Sequence, residues 1–506
     1  MTTATNVEPD IRPADPCAMV IFGASGDLTK RKLLPSLHNL LRNGLLSPNF
    51  AIIGVAMDPL TDESFRARMR DGLLEFGGEI DPMVRERSDA LSYVQGKFDD
   101  PDTYIRLRER LQAVDKTHCP QGNTLFYLAT PPQFFGVITT HLGAARLVSP
   151  PTEGGPWTRL VVEKPFGRDL ESAQALNREL LTVFDESQIY RIDHYLGKET
   201  VQNILLFRFV NSIFEPIWNR RYIEHVQMTV AESIGIEGRG AYFDTAGILR
   251  DIIQNHMFQL LCLMAMEPPI SFAGEEVRNE KVKVLHAVRP MEPEEILQRT
   301  VRGQYGPGVV DGQRVPGYRQ EPGVAPSSTT ETYAALKLYV ENWRWADVPF
   351  YLRAGKRLAA RDTEIVVQFR RAPLILLRDL SDHPQPNRLT IHVQPDERIT
   401  LHFAAKRPGP KVRLAPVNMA FAYKDLGDGN PSTGYETLLY DCMVGDSMLF
   451  HRADMVEAAW RVATPVLDVW QALPPRDFPN YAAGTWGPRS ANDLLAADGH
   501  EWVTPE

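Results

Sequence analysis

The segment Ala18-Met19-Val20-Ile21-Phe22 is followed without a spacer by Gly23-Ala24-Ser25-Gly26-Asp27-Leu28, and then by Leu33, Leu34, Leu37, Leu40 and Leu41. A continuous apolar run is a strand buried on both faces, and the leucine spacing is that of a helix packed along one side. Strand, glycine turn and helix in this order open a doubly wound parallel sheet. Such a turn lets backbone N–H groups approach a pyrophosphate, because glycines remove the Cβ atoms that would block it. The turn reads G-x-x-G rather than G-x-G-x-x-G, so the motif alone fits both a dinucleotide site and a turn in an α/β protein that binds no nucleotide.

The stretches that follow extend this sheet. Ala51 to Ala56 is a second strand, ending at Met57-Asp58, where such folds read the adenosine ribose: an acid accepts from a 2′-hydroxyl, whereas an arginine meets a 2′-phosphate. Here an acid is present and the next arginine is Arg66. A turn opened by Asp58-Pro59 fits equally well. Leu125 to Leu128 and Leu160 to Val162 add two more strands, and the latter runs into Glu163-Lys164-Pro165-Phe166-Gly167. A lysine before proline at a strand's carboxyl end is held extended and aimed into the crevice where these sheets bind ligands, although an exposed turn lysine has the same sequence.

Arg191-Ile192-Asp193-His194-Tyr195-Leu196-Gly197-Lys198-Glu199 then places an acid, an imidazole, a phenol and an ammonium in one polar turn between a short apolar run and a helical pattern (Val201, Ile204, Leu205, Phe209). A helix N-terminus with His194, Tyr195 and Lys198 is a receptor for an anion such as a sugar phosphate. Asp193 does not help to bind an anion but suits the orientation of a catalytic imidazole. A solvated charge cluster remains the alternative.

Beyond Asn211 the apolar residues alternate, at Val226 to Val230, Leu336 to Val340, Ile365 to Phe369, Leu389 to Val393 and Ile399 to Phe403. This predicts an α+β region with a mainly antiparallel sheet. Gly303 to Ser328, rich in Gly and Pro, reads as a long surface loop. Gly247 to Met266 reads as a helix, with His256 inside its apolar stripe, where a core histidine and a neutral base are both at home. Asp251 is five residues earlier, roughly 140° round an ideal α-helix, so spacing does not pair the two. Arg353, Lys356, Arg357 and Arg361 around Gly355 suit a loop clasping an anion.

At 506 residues, with 43% hydrophobic and 24% charged residues, the chain predicts two globular domains. The net charge of −9 argues against nucleic acid as a partner, and no apolar block approaches a membrane span. Cys17, Cys119, Cys262 and Cys442 have neither a metal nor a disulfide spacing, which fits the cytoplasm. Residues 1–16 read as a disordered arm with no secretory pattern.

Together, GASGDLTKRK (Gly23 to Lys32), EKPFG (Glu163 to Gly167), RIDHYLGKE (Arg191 to Glu199), DIIQNH (Asp251 to His256) and RAGK (Arg353 to Lys356) resemble the glucose-6-phosphate dehydrogenase family in order and spacing, over about residues 17 to 485. The resemblance implies a Rossmann-like dinucleotide-binding domain at 17–195 and an α+β substrate and dimerisation domain at 196–506. It implies oxidation of C1 of glucose 6-phosphate by NAD or NADP, with no metal, in a homodimer or homotetramer. It makes His256 the base and Asp193 its orienter. His194, Tyr195 and Lys198 become the phosphate contacts, and Glu232, Asp251, Lys356 and Arg361 further substrate contacts. Lys164 would touch both substrate and cofactor, and Gly23, Ala24, Ser25, Gly26, Asp27, Leu28, Met57 and Asp58 would hold the dinucleotide. Two departures stand out. Met57 replaces the family's usual arginine and Asp58 follows it, which leans towards NAD and leaves Thr29, Lys30 or Arg66 to meet a 2′-phosphate. Asp362 and His392 stand where some animal members carry basic residues for a second, structural NADP, so no second site is expected. A dehydrogenase for another sugar or hexose phosphate, and a catalytically silent regulatory homologue, are the competing readings.

Overall fold

The computed structural model describes residues 12–77, 88–118, 120–373, 385–426 and 434–505. Most of the predicted N-terminal arm, and Cys119, lie outside them. The rest of the arm is not free: the N–H of the buried Ala14 donates to Leu45 O at 2.8 Å, and Asn123 donates to Pro16 O, so packing begins before the first strand.

Six parallel strands form the first sheet in the order β3-β2-β1-β4-β5-β6. These are β1 (Cys17–Phe22), β2 (Phe50–Ala56), β3 (Leu91–Gln95), β4 (Thr124–Leu128), β5 (Thr158–Val162) and β6 (Ile189–Arg191). The helices α1 (Leu34–Arg42), α2 (Asp62–Phe76), α3 (Pro101–His118), α4 (Phe135–Ala144) and α5 (Leu170–Leu181) alternate with them. β1, β2 and β4 are buried along their whole length, which is why their sequences are uniformly apolar rather than alternating. The strand order reverses between β1 and β4, and the crevice at their carboxyl ends is where such sheets take a ligand. Gly23 sits there at φ +82°, where a Cβ would lie 2.3 Å from Ala129 O. Only glycine keeps this turn open.

α6 (Glu199–Val210) leads to the second sheet, which has eight strands. They are β7 (Ile223–Glu232), β8 (Thr300–Gly303), β9 (Tyr333–Tyr339), β10 (Pro349–Lys356), β11 (Asp362–Phe369), β12 (Arg388–Gln394), β13 (Arg398–Lys406) and β14 (Leu414–Ala422), in the order β14-β13-β12-β11-β7-β10-β9-β8. Only β7 and β10 pair in parallel, so the sheet is mainly antiparallel, as expected. Met228, Val230, Leu352, Ala354 and Ile365 line one face, against which the 249–257 helical segment packs. The helices α7 (Gly240–Ile248), α8 (Phe258–Ala265), α9 (Gly274–Ala287) and α10 (Pro293–Arg299) belong to this region. α11 (Tyr435–Val444) and α12 (Ala453–Ala472) return to the first sheet, where Glu436 accepts from Asn39 and Glu457 from Asn177. A division at residue 195 therefore does not separate the packing cleanly.

The Gly303 to Ser328 expectation needs correction. The segment contains a short hairpin (Gly308–Val310 with Gln313–Val315) and buries Tyr305 and Tyr318, whose hydroxyls donate to Glu321 and Asp244. Glycines and prolines mark its turns, but its tyrosines anchor it in the core.

Candidate active site

The first half of the site is built by two strand ends of the parallel sheet. β5 delivers Glu163 and Lys164, and the Lys164–Pro165 bond is cis. Glu163 is buried and accepts from Tyr127 at 2.5 Å and Tyr435 at 3.2 Å, while Asp169 caps α5 by accepting from the Ser172 N–H. Lys164 is thus pinned on both sides. β6 delivers the turn from Ile192 to Lys198, in which Asp193 Oδ1 accepts from the Tyr195 N–H at 2.9 Å and Lys198 is the N-cap of α6. The Lys198 side chain makes no capping bond to that helix, whose first turn therefore begins beside the turn with its dipole's positive end unanswered by a cap. Arg191 pairs with the half-buried Glu186 and also donates to His451 O.

The second half comes from a helical segment that the 3.6-residue repeat does not describe. Gly247, at φ +69°, ends α7, and residues 249–257 then run as a π-helix into α8. In a π-helix residue i faces i+5. Asp251 and His256 therefore share a face, which an α-helical count denies them, and Lys164 Nζ touches both: Asp251 O at 3.0 Å, Asp251 Oδ1 at 3.3 Å and His256 Nε2 at 3.1 Å.

His256 Nδ1 lies 2.5 Å from Asp193 Oδ1, and both residues are buried. A carboxylate can only accept and an ammonium can only donate, so Nδ1 carries the proton and Nε2 presents a lone pair towards Lys164 and the crevice. Tyr195 stacks on the imidazole with ring centroids 4.2 Å apart, and His194 meets it edge-on at 4.7 Å. Burial holds His256 below the ordinary imidazole range, with Asp193 pulling the other way. Burial would raise Asp193, but His256 and His451 hold it well below the usual carboxylate range. The result is a neutral base beside a fixed negative charge.

Around this pair, Lys356 Nζ lies 3.7 Å from Asp251 Oδ2 and also binds Glu232, so Lys164, Asp251, Lys356 and Glu232 form one chain of alternating charge. Lys198 Nζ donates to Gln394 Oε1 at 2.9 Å, and Gln394 in turn donates to Thr363. Burial lowers the Lys198 pKa, with the Glu397 carboxylate pulling the other way. Arg361 is exposed and acts on Tyr195 and Lys198 through space. Gln394 and Thr363 join Lys198 here and carry no motif in the sequence. The expected basic loop is corrected in part. Arg353 lies in β10, buried between Trp486 and Trp502, and donates to Thr229 and Val503 O, while Arg357 pairs with Glu321. Only Lys356 and Arg361 face the site.

At the far end of the crevice, Ser25 donates to Asp58, whose carbonyl accepts from Tyr93 at 2.8 Å. Met57 is 57% exposed, at the edge of a cleft of about 980 Å³ that Tyr93, Gly96, Lys97 and Arg110 also line. Arg66 is committed to the carbonyls of Leu91 and Asp89, Lys30 to Glu75, and Thr29 is buried against Gly23 O.

Comparison with known proteins matches residues 20–203 to "Glucose-6-phosphate dehydrogenase, NAD binding domain" and 205–503 to "Glucose-6-phosphate dehydrogenase, C-terminal domain". The chain belongs to the glucose-6-phosphate dehydrogenase family. A glucose-6-phosphate 1-dehydrogenase of Aggregatibacter actinomycetemcomitans is 47% identical over 492 residues, covering 97% of this chain and 98% of the relative. A solved glucose-6-phosphate dehydrogenase in complex with glucose 6-phosphate superposes with a TM-score of 0.87 at 36% identity, covering 97% and 99% of the two chains. The Mycobacterium avium glucose-6-phosphate 1-dehydrogenase gives 0.83 at 36% identity, covering 98% and 99%. Both family domains are present, and the five motifs on which the resemblance was drawn fall within the matched residues.

Proposed function

We propose that this chain oxidises D-glucose 6-phosphate to 6-phospho-D-glucono-1,5-lactone with NAD or NADP, the first step of the oxidative pentose phosphate pathway. The observation that carries this reading is the bare Nε2 of His256 beside Lys164, with the phosphate-binding turn of Lys198 continuous with Asp193. The open turn at Gly23 fits a pyrophosphate, with residues 23–28 as its cradle. The bound nicotinamide supplies the hydride acceptor. His256 Nε2 takes the C1 hydroxyl proton, and the Asp193 carboxylate stabilises the imidazolium that forms. In this step Lys164 exchanges His256 for the substrate oxygen while keeping its hold on Asp251. Lys198, His194 and Tyr195 receive the phosphate, and Glu232, Asp251, Lys356 and Arg361 contact the sugar. A homodimer or homotetramer in the cytoplasm is the setting we assign, in keeping with the family and with the buried free thiols of Cys17, Cys262 and Cys442. Among the described residues no helix is long and apolar enough to cross a membrane.

Two measurements test this reading. Initial rates with glucose 6-phosphate, titrating NAD and NADP separately, are expected to give a kcat/KM that favours NAD by about tenfold or more, or about 1.4 kcal/mol. Asp58 supports this, since its carboxylate would repel a 2′-phosphate and accept from a 2′-hydroxyl, and Thr29, Lys30 and Arg66 are each engaged elsewhere. A tenfold preference for NADP that vanished on changing Arg66 would refute the NAD reading. The double change M57R/D58Q should move the ratio towards NADP. The second measurement is pH dependence. A base must be neutral, and burial depresses its pKa, so kcat/KM is expected to fall on acidification only below about 6.5. An acid limb centred above pH 7 would contradict a buried neutral imidazole as the base.

A further inference from the structure

Asp193 has two carboxylate oxygens, and the pair with His256 uses one. Oδ1 accepts from the Tyr195 N–H and faces His256 Nδ1. Oδ2 is fully enclosed and has no hydrogen-bond partner among the described residues. It looks at His451 Nε2, 3.6 Å away, a buried nitrogen that likewise has no hydrogen-bond partner there. His451 is 4% exposed and lies in the segment between α11 and α12, where its N–H donates to Arg191 O and ties it to the end of β6. Gln259, one turn beyond His256 in α8, places its amide nitrogen 3.2 Å from His451 Nδ1.

These contacts leave one consistent set of protons. A carboxylate oxygen can only accept, so the imidazole must present N–H from Nε2; Nδ1 is then bare and accepts from the Gln259 amide. A buried carboxylate oxygen facing a bare nitrogen would be an uncompensated burial of charge. We propose that His451, with its tautomer set by Gln259, is a positioning residue for the reaction: its Nε2–H holds the second oxygen of Asp193, so that the first stays aligned on His256. The proposal rests on the reading of His256 as the base. It extends the pair into a line from Gln259 through His451 and Asp193 to His256.

The donor on Oδ2 also takes up part of the carboxylate's charge. Without it more of that charge acts on His256, the imidazolium becomes easier to form, and the acid limb of the rate profile moves to higher pH. The charged and titratable groups facing this line are Lys281 from α9, Lys164 after β5, Asp251 from the π-helical segment, His194 from the turn and Arg191 from β6. All of them are retained when His451 is changed, so the shift reports the lost donor.

The test compares the full-length protein with His451→Gln, whose amide can restore a donor at the same reach, and His451→Leu, which fills the space without one. With glucose 6-phosphate and saturating dinucleotide, His451→Leu is expected to lose about tenfold in kcat with KM within about twofold, and to move the acid limb up by about half a pH unit or more. His451→Gln should recover kcat to within about threefold and the limb to its original place. Equal losses in both variants, or an unmoved limb in His451→Leu, would overturn the proposal and leave His451 a packing residue. His256→Asn separates the two readings. If it kept wild-type turnover, the base assignment would fall and this inference with it. If it lost turnover, adding His451→Leu to it should cost almost nothing more, because His451 acts through His256; a further tenfold loss would count against that route.

Discussion

His256→Asn is expected to lower kcat by about a thousandfold or more while the dissociation constant for glucose 6-phosphate stays within about twofold, because general-base catalysis contributes about 10² to 10⁴ and His256 is the imidazole that the Asp193 carboxylate backs. Asparagine is the informative replacement. Its amide can still donate to Asp193 Oδ1, so the buried carboxylate keeps a partner, while the proton acceptor at Nε2 is gone. Lys164 remains bound to Asp251 through two contacts and so is not released into the crevice. Equilibrium binding separates this outcome from a collapsed site, and a variant that lost binding in parallel with turnover would show that His256 holds the substrate rather than deprotonating it. Asp193→Asn should cost about 10² or more in kcat for a related reason: the amide cannot stabilise the imidazolium and can present N–H where an acceptor is needed, favouring the wrong tautomer.

That pair was legible in the sequence only as two separate motifs. RIDHYLGKE gathers an acid, an imidazole and an ammonium in one turn, which fits a solvated charge cluster as well as a site until the other four motifs stand beside it. β1, β2, β4 and β5 were legible as apolar runs and β6 only as a short one, whereas β3 (Leu91–Gln95), with Ser92 and Gln95 in its five residues, offers no such run. DIIQNH was not legible in the same way. A helical wheel at 3.6 residues per turn separates Asp251 from His256, and nothing in local composition announces the wider turn that brings them together. The widening is a property of the packed helix, held between the second sheet and the elements carrying Lys164 and Asp193.

Distance along the chain hid the rest. Gln394 reaches Lys198 across 196 residues and His451 reaches Asp193 across more than 250, and each is an unremarkable residue in its own segment. Arg353 shows the converse. It stands in a basic run with Lys356, Arg357 and Arg361, yet its neighbours in β7 and its covering tryptophans come from elsewhere, and they make it a structural residue. The clustering of charge along a strand says little about function, because successive residues face opposite sides of the sheet.

Lys198→Ala should raise KM for glucose 6-phosphate by about 30- to 100-fold, equivalent to about 2 to 3 kcal/mol for a charge-assisted contact, with kcat nearly unchanged. The phosphate is remote from C1 and interacts equally in ground and transition states, so its contact is expected to appear in KM alone. In the free protein the ammonium is desolvated, leans on the Tyr195 ring at 5.5 Å and has a neutral amide, Gln394, for a partner. A dianion offers it far more than that amide does. Lys198→Arg should recover only part of the loss, since the guanidinium is larger and Gln394 and Thr363 close the space behind it. Unphosphorylated glucose supplies the control: its low kcat/KM should be the same in both proteins, so that the preference for the phosphate ester collapses by the factor that KM gained. If KM for glucose 6-phosphate did not move, the phosphate would have to sit elsewhere, and the uncapped first turn of α6 would lose its assigned ligand. If kcat fell with it, the turn would be positioning Asp193 as well as binding the phosphate, a coupling that the four residues separating Asp193 from Lys198 make mechanically direct.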